Sequence, residues 1–213
     1  MPRKIDVYFS MPSPWTYLGH DRFQEIARRH DAEVAYRPVN LATVFAETGG
    51  LPLAQRHVAR QNYRLVELQR WRERRGVPLN LAPKHWPFDA QLADRMVIAA
   101  ANEDHDPAAF IGRTMKAVWA EDADVAATGA LQTLADQTGL PGARIVAEAQ
   151  SDPVGRQYEE TTRTAMENGY FGAPTYVVDG EAFWGQDRLE FLDEMLESGR
   201  APYGLPEAES GNQ

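Results

Sequence analysis

The sequence of 213 residues contains no cysteine. A chain without thiols forms no disulfide bond and offers no thiolate to a metal ion. It also cannot act as a disulfide oxidoreductase, because that reaction passes through a cysteine thiolate of the enzyme. Any thiol chemistry performed by this protein would therefore use a thiol that another molecule supplies.

Several other features are missing. No apolar run approaches the roughly 18 residues that span a membrane, and residues 1–4 precede the first predicted strand without the apolar core of a signal peptide. We therefore expect a cytoplasmic protein with no membrane partner. The net charge of −9 argues against nucleic acid as a partner, because phosphates would be repelled. No metal site is expected, since none of the five histidines has a metal-ligand spacing with another: His20, His30, His57, His85 and His105.

The N-terminal residues have the pattern of a β-α-β unit. Residues 5–10 are predicted to form a strand, and Pro14 suits the first turn of a helix that continues over 15–29. Residues 33–37 alternate in polarity and predict a second strand, which ends at Pro38. Two strands joined by one helix imply a parallel pair with a right-handed crossover.

The middle of the chain is predicted to be helical. The longest predicted helix, 53–76, has apolar positions that we expect to be buried: Val58, Tyr63, Leu65, Val66, Leu68 and Trp71. Most of its arginines should form a solvated face, although one or two near its N-terminal end could reach a carboxylate: Arg56, Arg60, Arg64, Arg70, Arg72, Arg74 and Arg75. Further helices are predicted at about 89–103, 107–121, 127–138, 142–150 and 153–168, with Asp152 as the N-cap of the last.

Strand patterns return only near the C-terminus. Residues 175–179 and 182–184 are predicted strands, and the Asp179-Gly180 pair between them is a strong hairpin signal. A final helix over 186–199 ends at Gly199 as its C-cap. Its inward-facing positions are predicted to be Leu189, Phe191, Leu192 and Leu196.

The order of these elements predicts the fold class. A β-α-β unit, a block of helices and a β-β-α unit together indicate an α/β, thioredoxin-like fold with a large all-helical insertion. Residues 1–40 and 170–203 would form the thioredoxin-like domain, residues 41–169 the helical insertion domain, and residues 204–213 a disordered tail.

Ser13 is the first candidate site residue. In disulfide oxidoreductases of this fold a Cys-x-x-Cys motif stands where this chain has Ser13–Thr16, with the sequence SPWT. A helix N-terminus favours an anion, and a serine hydroxyl at that place can donate a hydrogen bond to a thiolate. The competing interpretation is structural, because serine is also a common helix N-cap.

Pro174 and Asp187 are candidates in the C-terminal unit. Pro174 enters a strand after Ala173, and a cis bond there would leave backbone groups free to bind an extended peptide. The structural alternative is an ordinary proline at the start of a strand. Asp187 begins the final predicted helix and could pair with an ammonium group of a ligand, or it could simply complement the helix dipole.

Two segments carry a resemblance to a known family. Residues 10–19, SMPSPWTYLG, resemble the corresponding segment of 2-hydroxychromene-2-carboxylate isomerases and kappa-class glutathione transferases. Residues 171–178 (FGAPTYVV) and 183–189 (FWGQDRL) are similar to the C-terminal signature of that family. The segments RQNY at 60–63, LQRW at 68–71 and PKHWPFD at 83–89 resemble the middle section of the isomerases.

The resemblance implies a DsbA-like thioredoxin fold, a homodimer, and glutathione as the cofactor. It implies that the catalytic residue Ser13 stabilises the glutathione thiolate, and that the backbone of Ala173 pairs with the cysteinyl part of the tripeptide ahead of a cis Pro174. Gln186 and Asp187 would hold the γ-glutamyl end. Arg60 would contact a carboxylate; it stands where the family usually has lysine, which keeps the charge and changes the geometry.

The resemblance also implies a reaction on a small aromatic substrate. In the isomerases, the thiolate adds to the conjugated system of the ring-opened chromene. Rotation about the resulting single bond and elimination then give trans-o-hydroxybenzylidenepyruvate and regenerate glutathione. Two alternatives stay open: a kappa-like glutathione transferase or peroxidase, and a non-catalytic thioredoxin-fold protein that binds peptides.

Overall fold

A computed structural model describes residues 3–204 of the chain, and the predicted disordered tail lies almost entirely outside them. The described residues form four strands: β1 (Lys4–Phe9), β2 (Glu33–Pro38), β3 (Thr175–Val178) and β4 (Glu181–Trp184). They also form nine helices: α1 (Pro14–Arg29), α2 (Leu41–Thr48), α3 (Val58–Arg75), α4 (Gln91–Asn102), α5 (Ala108–Trp119), α6 (Thr128–Gln137), α7 (Gly142–Ala149), α8 (Asp152–Glu167) and α9 (Leu189–Ser198).

One mixed sheet with the strand order β2-β1-β3-β4 organises the fold. The strands β1 and β2 are parallel, as the β-α-β pattern predicts, and β3 runs antiparallel to both β1 and β4. Asp179 and Gly180 both have positive φ in the turn between β3 and β4, which confirms the predicted hairpin. The arrangement is a thioredoxin-like fold with a helical insertion after β2, as the order of the elements predicts.

The sheet and the inserted helices share one main hydrophobic core. Side chains of β1, α1, α4, α5, α7 and α9 belong to the same buried cluster, in which Trp119, Phe9 and Phe110 are among the largest members. A smaller cluster on α2, α8 and the neighbouring strands includes Val44 and Ala165. The division into a thioredoxin-like domain (residues 1–40 and 170–203) and a helical insertion domain (residues 41–169) stays a prediction.

The starts of α3 and α8 differ from the sequence predictions. The helix predicted from residue 53 begins instead at Val58, because a separate 3-10 turn covers Leu53–Gln55. The N-cap of α8 is Ser151, whose hydroxyl accepts a hydrogen bond from the N–H of Val154, so the prediction of Asp152 was wrong by one residue.

Helix α2 was not predicted at all. It is eight residues long, so its apolar residues Leu41, Val44 and Phe45 cover little more than one turn, and only Val44 is buried. Its ends nevertheless have clear signals. The side chain of Asn40 accepts hydrogen bonds from two backbone N–H groups, and Gly49 ends the helix with φ 77°.

The predicted buried face of α3 is largely wrong. Among its six positions only Leu68 is buried, and Trp71 is half-buried. The other four are exposed, with Val58 the most exposed at 60%: Val58, Tyr63, Leu65 and Val66. Periodicity identifies an apolar face, but it does not show whether another element of the chain covers that face.

Phe191 of α9 is also exposed, contrary to the prediction, whereas Leu189 and Leu192 are buried and Leu196 is half-buried. Residues 189, 192 and 196 follow the i, i+3, i+7 spacing of one helix face, and residue 191 lies outside that stripe. Gly199 ends the helix with φ 65°, which confirms the predicted C-cap.

None of the helices in residues 3–204 combines the length and the apolar character that crossing a membrane requires.

Gly19 of α1 permits a close approach that fixes the C-terminal unit against this helix. A Cβ atom at position 19 would lie 2.6 Å from Cβ of Gln186 and 3.1 Å from the hydroxyl oxygen of Tyr176. Both neighbours are buried, so neither has free space into which to move. The absence of a side chain at Gly19 therefore allows the turn at Gln186 to pack on α1.

We predict that Gly19→Ala destabilises the protein. Overpacking costs about 1–3 kcal/mol, which exceeds the roughly 0.5–1 kcal/mol that alanine contributes inside a helix. Urea unfolding measures the net loss. Gly129→Ala in α6 is the matched control, because no atom lies within 4 Å of its added Cβ, and it should be neutral or stabilising. Equal stabilities for the two variants would contradict the packing argument.

Candidate active site

Ser13 is the N-cap of α1, at the end of the turn that follows β1. Its backbone N–H donates to the carbonyl oxygen of Ser10 at 3.0 Å, which closes the turn. Its hydroxyl oxygen accepts from the N–H of Thr16 at 3.2 Å, and its O–H donates to the carbonyl oxygen of Ala173 at 3.2 Å. Ser13 thus caps the helix, as its structural interpretation predicts, and also contacts the loop that carries Pro174.

The bond between Ala173 and Pro174 is cis, which confirms the prediction for this loop. Pro174 leads into β3, and the pairing of Tyr8 with Thr175 places the end of β1 beside the beginning of β3. The turn at Ser13 and the loop at Pro174 are therefore brought together by the sheet itself. The backbone N–H of Ala173 has no hydrogen-bond acceptor within residues 3–204.

The turn at Gly185–Arg188 lies against the same loop. The N–H of Gly185 donates to the carbonyl oxygen of Pro174 at 2.8 Å. A 3-10 turn covers Gln186–Arg188, and α9 begins only at Leu189, three residues later than predicted. Asp187 is exposed in this turn and pairs with Arg188 at 2.7 Å. The carboxylate of Asp187 is therefore available at the surface, close in sequence to a residue that contacts the cis-proline loop.

Gln186 is buried, with 1% of its surface exposed, and its position depends on Arg75. The guanidinium of Arg75 donates to the side-chain carbonyl oxygen of Gln186 at 3.0 Å, to its backbone carbonyl at 2.9 Å, and to Glu190 at 3.0 Å. Only 8% of the Arg75 side chain is exposed. No sequence pattern indicated this role, since Arg75 belongs to a run of arginines predicted to form a mostly solvated face.

Arg60 lies apart from the other predicted site residues. It is exposed in the first turn of α3, and its side chain forms no hydrogen bond or ion pair with the described part of the chain. The structure therefore joins Ser13, Ala173, Pro174 and the turn at Asp187 through direct hydrogen bonds, and it does not connect Arg60 to them.

Asp94 of α4 holds the turn before Ser13 through a hydrogen bond to its backbone. Its fully buried carboxyl group accepts from the N–H of Met11 at 3.2 Å and from the hydroxyl of Tyr158 at 3.1 Å. Burial raises the pKa of Asp94 to about 8, although these hydrogen bonds oppose the shift. No sequence motif singled out Asp94. Its signal was a lone carboxylate on the apolar face of a predicted helix, next to Ala93 and Val97.

Trp86, in the segment between α3 and α4, also contacts the backbone of this turn. Its indole N–H donates to the carbonyl oxygen of Pro12 at 2.9 Å, and its ring packs against that of Trp119. The guanidinium carbon of Arg64 lies 5.3 Å from the centre of the Trp86 ring. The peptide bond between Trp86 and Pro87 is also cis, which the sequence did not reveal.

The start of α1 is suited to an anion. Pro14 has no N–H, and the N–H of Thr16 is capped by Ser13, so the N–H of Trp15 is the donor at this end that lacks a partner within residues 3–204. Ser13 adds a hydroxyl and Ala173 a second free N–H.

Within residues 3–204, no group of three or more acidic or histidine side chains could hold a metal ion.

Two cavities lie elsewhere on the surface. One, of about 400 Å³, lies between α1 and α5 and is lined by His20 and Lys116 among others. The second, of about 530 Å³, lies beside β4 and is lined by Trp184, Phe191 and Tyr203 among others. Neither is lined by Ser13, so the chemistry of the donor groups, and not a deep cavity, identifies the candidate site.

Fold and site together define a class of protein. The molecule has a thioredoxin fold with a cis-proline, and a serine hydroxyl stands at the helix start where redox members of this fold have cysteines. The chain belongs to the family of DSBA-like thioredoxin domains, whose model matches residues 4–197.

Its relatives define the family more closely. Over 199 residues the chain is 30% identical to a 2-hydroxychromene-2-carboxylate isomerase of Sphingobium xenophagum, a match that covers 92% of this chain and 99% of that protein. It is 24% identical to glutathione S-transferase kappa 1 of Rattus norvegicus, over 92% of this chain and 91% of that protein.

A solved structure of a 2-hydroxychromene-2-carboxylate isomerase matches with a TM-score of 0.79 and 25% identity, over 92% of this chain and 95% of that one. The resemblance drawn from the sequence motifs is therefore confirmed at the level of the family.

We predict that Asp94 makes the stability of the protein depend on pH. Its folded pKa of about 8 exceeds the unfolded value of about 3.9, so the folded state binds the proton more tightly. The contribution of Asp94 to stability should therefore decrease as the pH rises from about 4 to about 8. Asp94→Asn should not show this decrease. The unfolding free energy of the variant minus that of wild type should therefore be larger at about pH 9 than at about pH 5.

Tyr158→Phe provides a second variant for urea unfolding across this pH range. Loss of the hydroxyl removes a hydrogen bond that favours the ionised carboxylate. The pH range in which Asp94 loses its proton in the folded state should therefore extend upward. Parallel pH curves for wild type and Asp94→Asn would show that Asp94 does not titrate as described.

Proposed function

We propose that this protein is a glutathione-dependent isomerase that acts on substrates of the 2-hydroxychromene-2-carboxylate type. The observation that carries the proposal is the position of the Ser13 hydroxyl, which lies between the start of α1 and the carbonyl of Ala173 before cis Pro174. The chain has no thiol of its own, so a thiolate bound at this place would come from a cofactor. The names of the relatives support both the isomerase and glutathione.

Glutathione would lie along the cis-proline loop as an extended peptide. The N–H of Ala173 is free, and its carbonyl oxygen has a second lone pair besides the one directed at Ser13. These two groups would pair with the cysteinyl backbone of the tripeptide, in the manner of an added strand. The cysteinyl side chain would then point toward Ser13 and the N–H of Trp15.

Thiolate binding would require an exchange of hydrogen bonds at Ser13. A hydroxyl has one proton, which Ser13 donates to Ala173 in this structure. To stabilise a thiolate, the O–H must turn away from Ala173, whose carbonyl would then accept from the cysteinyl N–H instead. The oxygen of Ser13 can keep its bond from Thr16 throughout, so α1 stays capped.

The γ-glutamyl end would bind at the turn that contacts Pro174. The carboxylate of Asp187 would pair with the ammonium group, and its present partner Arg188 is itself exposed. Gln186 would contribute through its side-chain amide, since its side-chain carbonyl already accepts from Arg75. Arg60 would approach a carboxylate of the ligand from α3.

The proposed reaction needs no net change of glutathione. The thiolate adds to the conjugated ring-opened chromene, the former double bond rotates as a single bond, and elimination gives trans-o-hydroxybenzylidenepyruvate and the thiolate again. The hydroxyl of Ser13 and the N–H of Trp15 would hold the sulfur as a thiolate before addition and after elimination.

A kappa-like glutathione transferase or peroxidase is the second candidate, because the relative from Rattus norvegicus bears that name and would share the thiolate site. Conjugation of a chromophoric electrophile without isomerisation would favour it.

A non-catalytic peptide-binding protein would use the same backbone groups of Ala173. Peptide binding that needs neither glutathione nor Ser13 would favour that role. A homodimer and a cytoplasmic location stay predictions from the resemblance and the sequence.

We predict that reduced glutathione raises the melting temperature of the wild-type protein. At 100 times its dissociation constant a ligand of the native state adds about 2.7 kcal/mol, which corresponds to roughly 5–10 °C for a domain of this size. Asp187→Asn should lose most of this shift, because it removes the charge that pairs with the ammonium group. Wild type with glutathione should also isomerise 2-hydroxychromene-2-carboxylate, as followed by absorbance.

Asp152→Asn is the matched control, since Asp152 is likewise an exposed aspartate at the start of a helical segment. If Asp187 served only the helix dipole, the two variants would respond to glutathione alike. No shift in wild type at any glutathione concentration would overturn the proposed cofactor. Binding without isomerisation would transfer the proposal to the transferase.

A further inference from the structure

Arg64 is a half-buried cation with no anionic partner. Its side chain forms no ion pair or hydrogen bond with any of residues 3–204. Two other partly buried arginines are ion-paired, Arg75 with Glu190 and Arg22 with Asp193, whereas half-buried Arg95 of α4, over the ring of Tyr158, also lacks an anionic partner within residues 3–204. An arginine that loses part of its hydration without gaining a carboxylate is costly, unless a ligand supplies the anion.

Arg64 is linked to the candidate active site through one side chain. It lies over the ring of Trp86 at 5.3 Å, and the same ring donates its N–H to Pro12, the residue before Ser13. The indole thus holds the guanidinium beside the turn that leads into α1. The contact of the guanidinium with the half-buried indole supplies no counter-charge, so the positive charge of Arg64 stays without an anion.

Other cations lie near Arg64 and make the electrostatic potential around it more positive. Loss of water around the guanidinium, together with the charge of Arg56, lowers the pKa of Arg64 to about 10. At neutral pH the side chain therefore remains charged and lacks a counter-ion. Arg60 is one helical turn away on α3 and is also unpaired within the described residues.

We propose that Arg64 is a carboxylate-binding residue of the site at Ser13, with the Trp86 ring as its support. This inference rests on the proposed function and deepens it, because it assigns a residue to the carboxylate of a bound acid. The planar fork of a guanidinium binds a carboxylate through two parallel hydrogen bonds, which would also fix the orientation of the acid. An aromatic acid oriented in this way would present its conjugated chain to the thiolate.

Two molecules could supply the carboxylate, namely glutathione and the aromatic substrate. Glutathione affinity, measured by calorimetry in the absence of substrate, tests the first source. The KM for 2-hydroxychromene-2-carboxylate at saturating glutathione tests the second. Loss of a charge-assisted pair in a half-buried site corresponds to about a 10- to 100-fold change in the affected constant.

The variants are Arg64→Gln and Arg64→Lys, with Arg74→Gln as the matched control. Arg74 lies over Trp71 on the same helix at 5.5 Å, ten residues beyond Arg64 and about 15 Å further along the axis. Arg64→Gln should change one of the two constants, and Arg64→Lys should recover part of the loss. Arg74→Gln should leave both unchanged.

An assay without glutathione separates this inference from the proposed function. Binding of trans-cinnamate, followed by tryptophan fluorescence, should be weakened by Arg64→Gln and not by Arg74→Gln, even if wild type binds no glutathione. If wild type isomerises its substrate while Arg64→Gln keeps both constants and its affinity for cinnamate, the role of Arg64 is overturned and the proposed function stands. Equal effects of Arg64→Gln and Arg74→Gln would also overturn it.

Discussion

The hydrogen bond from Ser13 to the carbonyl of Ala173 is the contact on which the candidate site depends. It joins the start of α1 to the cis-proline loop, two parts of the chain that the pairing of β1 with β3 brings together. The same hydroxyl caps α1 through Thr16. One side chain therefore completes the helix and lies where a bound thiolate would need a hydrogen-bond donor.

The inserted helices hold the turn before Ser13 in place from outside the thioredoxin-like unit. Asp94 of α4 accepts from the backbone of Met11, and Trp86 donates to the backbone of Pro12. Both contacts reach main-chain groups that the sheet and α1 leave unpaired, so the insertion orients the turn without contributing a nucleophile.

Local sequence signals predicted the elements that depend on local chemistry. Asp-Gly in a hairpin and serine before a helix led to the turn between β3 and β4 and to the position of Ser13, whereas cis Pro174 was expected from the family resemblance and not from a local signal. The exposed face of α3 and the burial of Arg75 could not be predicted in this way. Both depend on which distant element packs against the helix, and one arginine in a charged run has no signature that distinguishes it from its neighbours.

Ultraviolet titration of the thiol of bound glutathione tests the central claim most directly. The free thiol has a pKa of about 8.5–9, and the Ser13 hydroxyl with the start of α1 should lower this value in the complex. Ser13→Ala should remove most of this decrease, whereas Ser151→Ala, which removes the equivalent cap of α8, should keep the wild-type value. A bound thiol with an unchanged pKa in wild type, or an equal pKa in wild type and Ser13→Ala, would contradict the account.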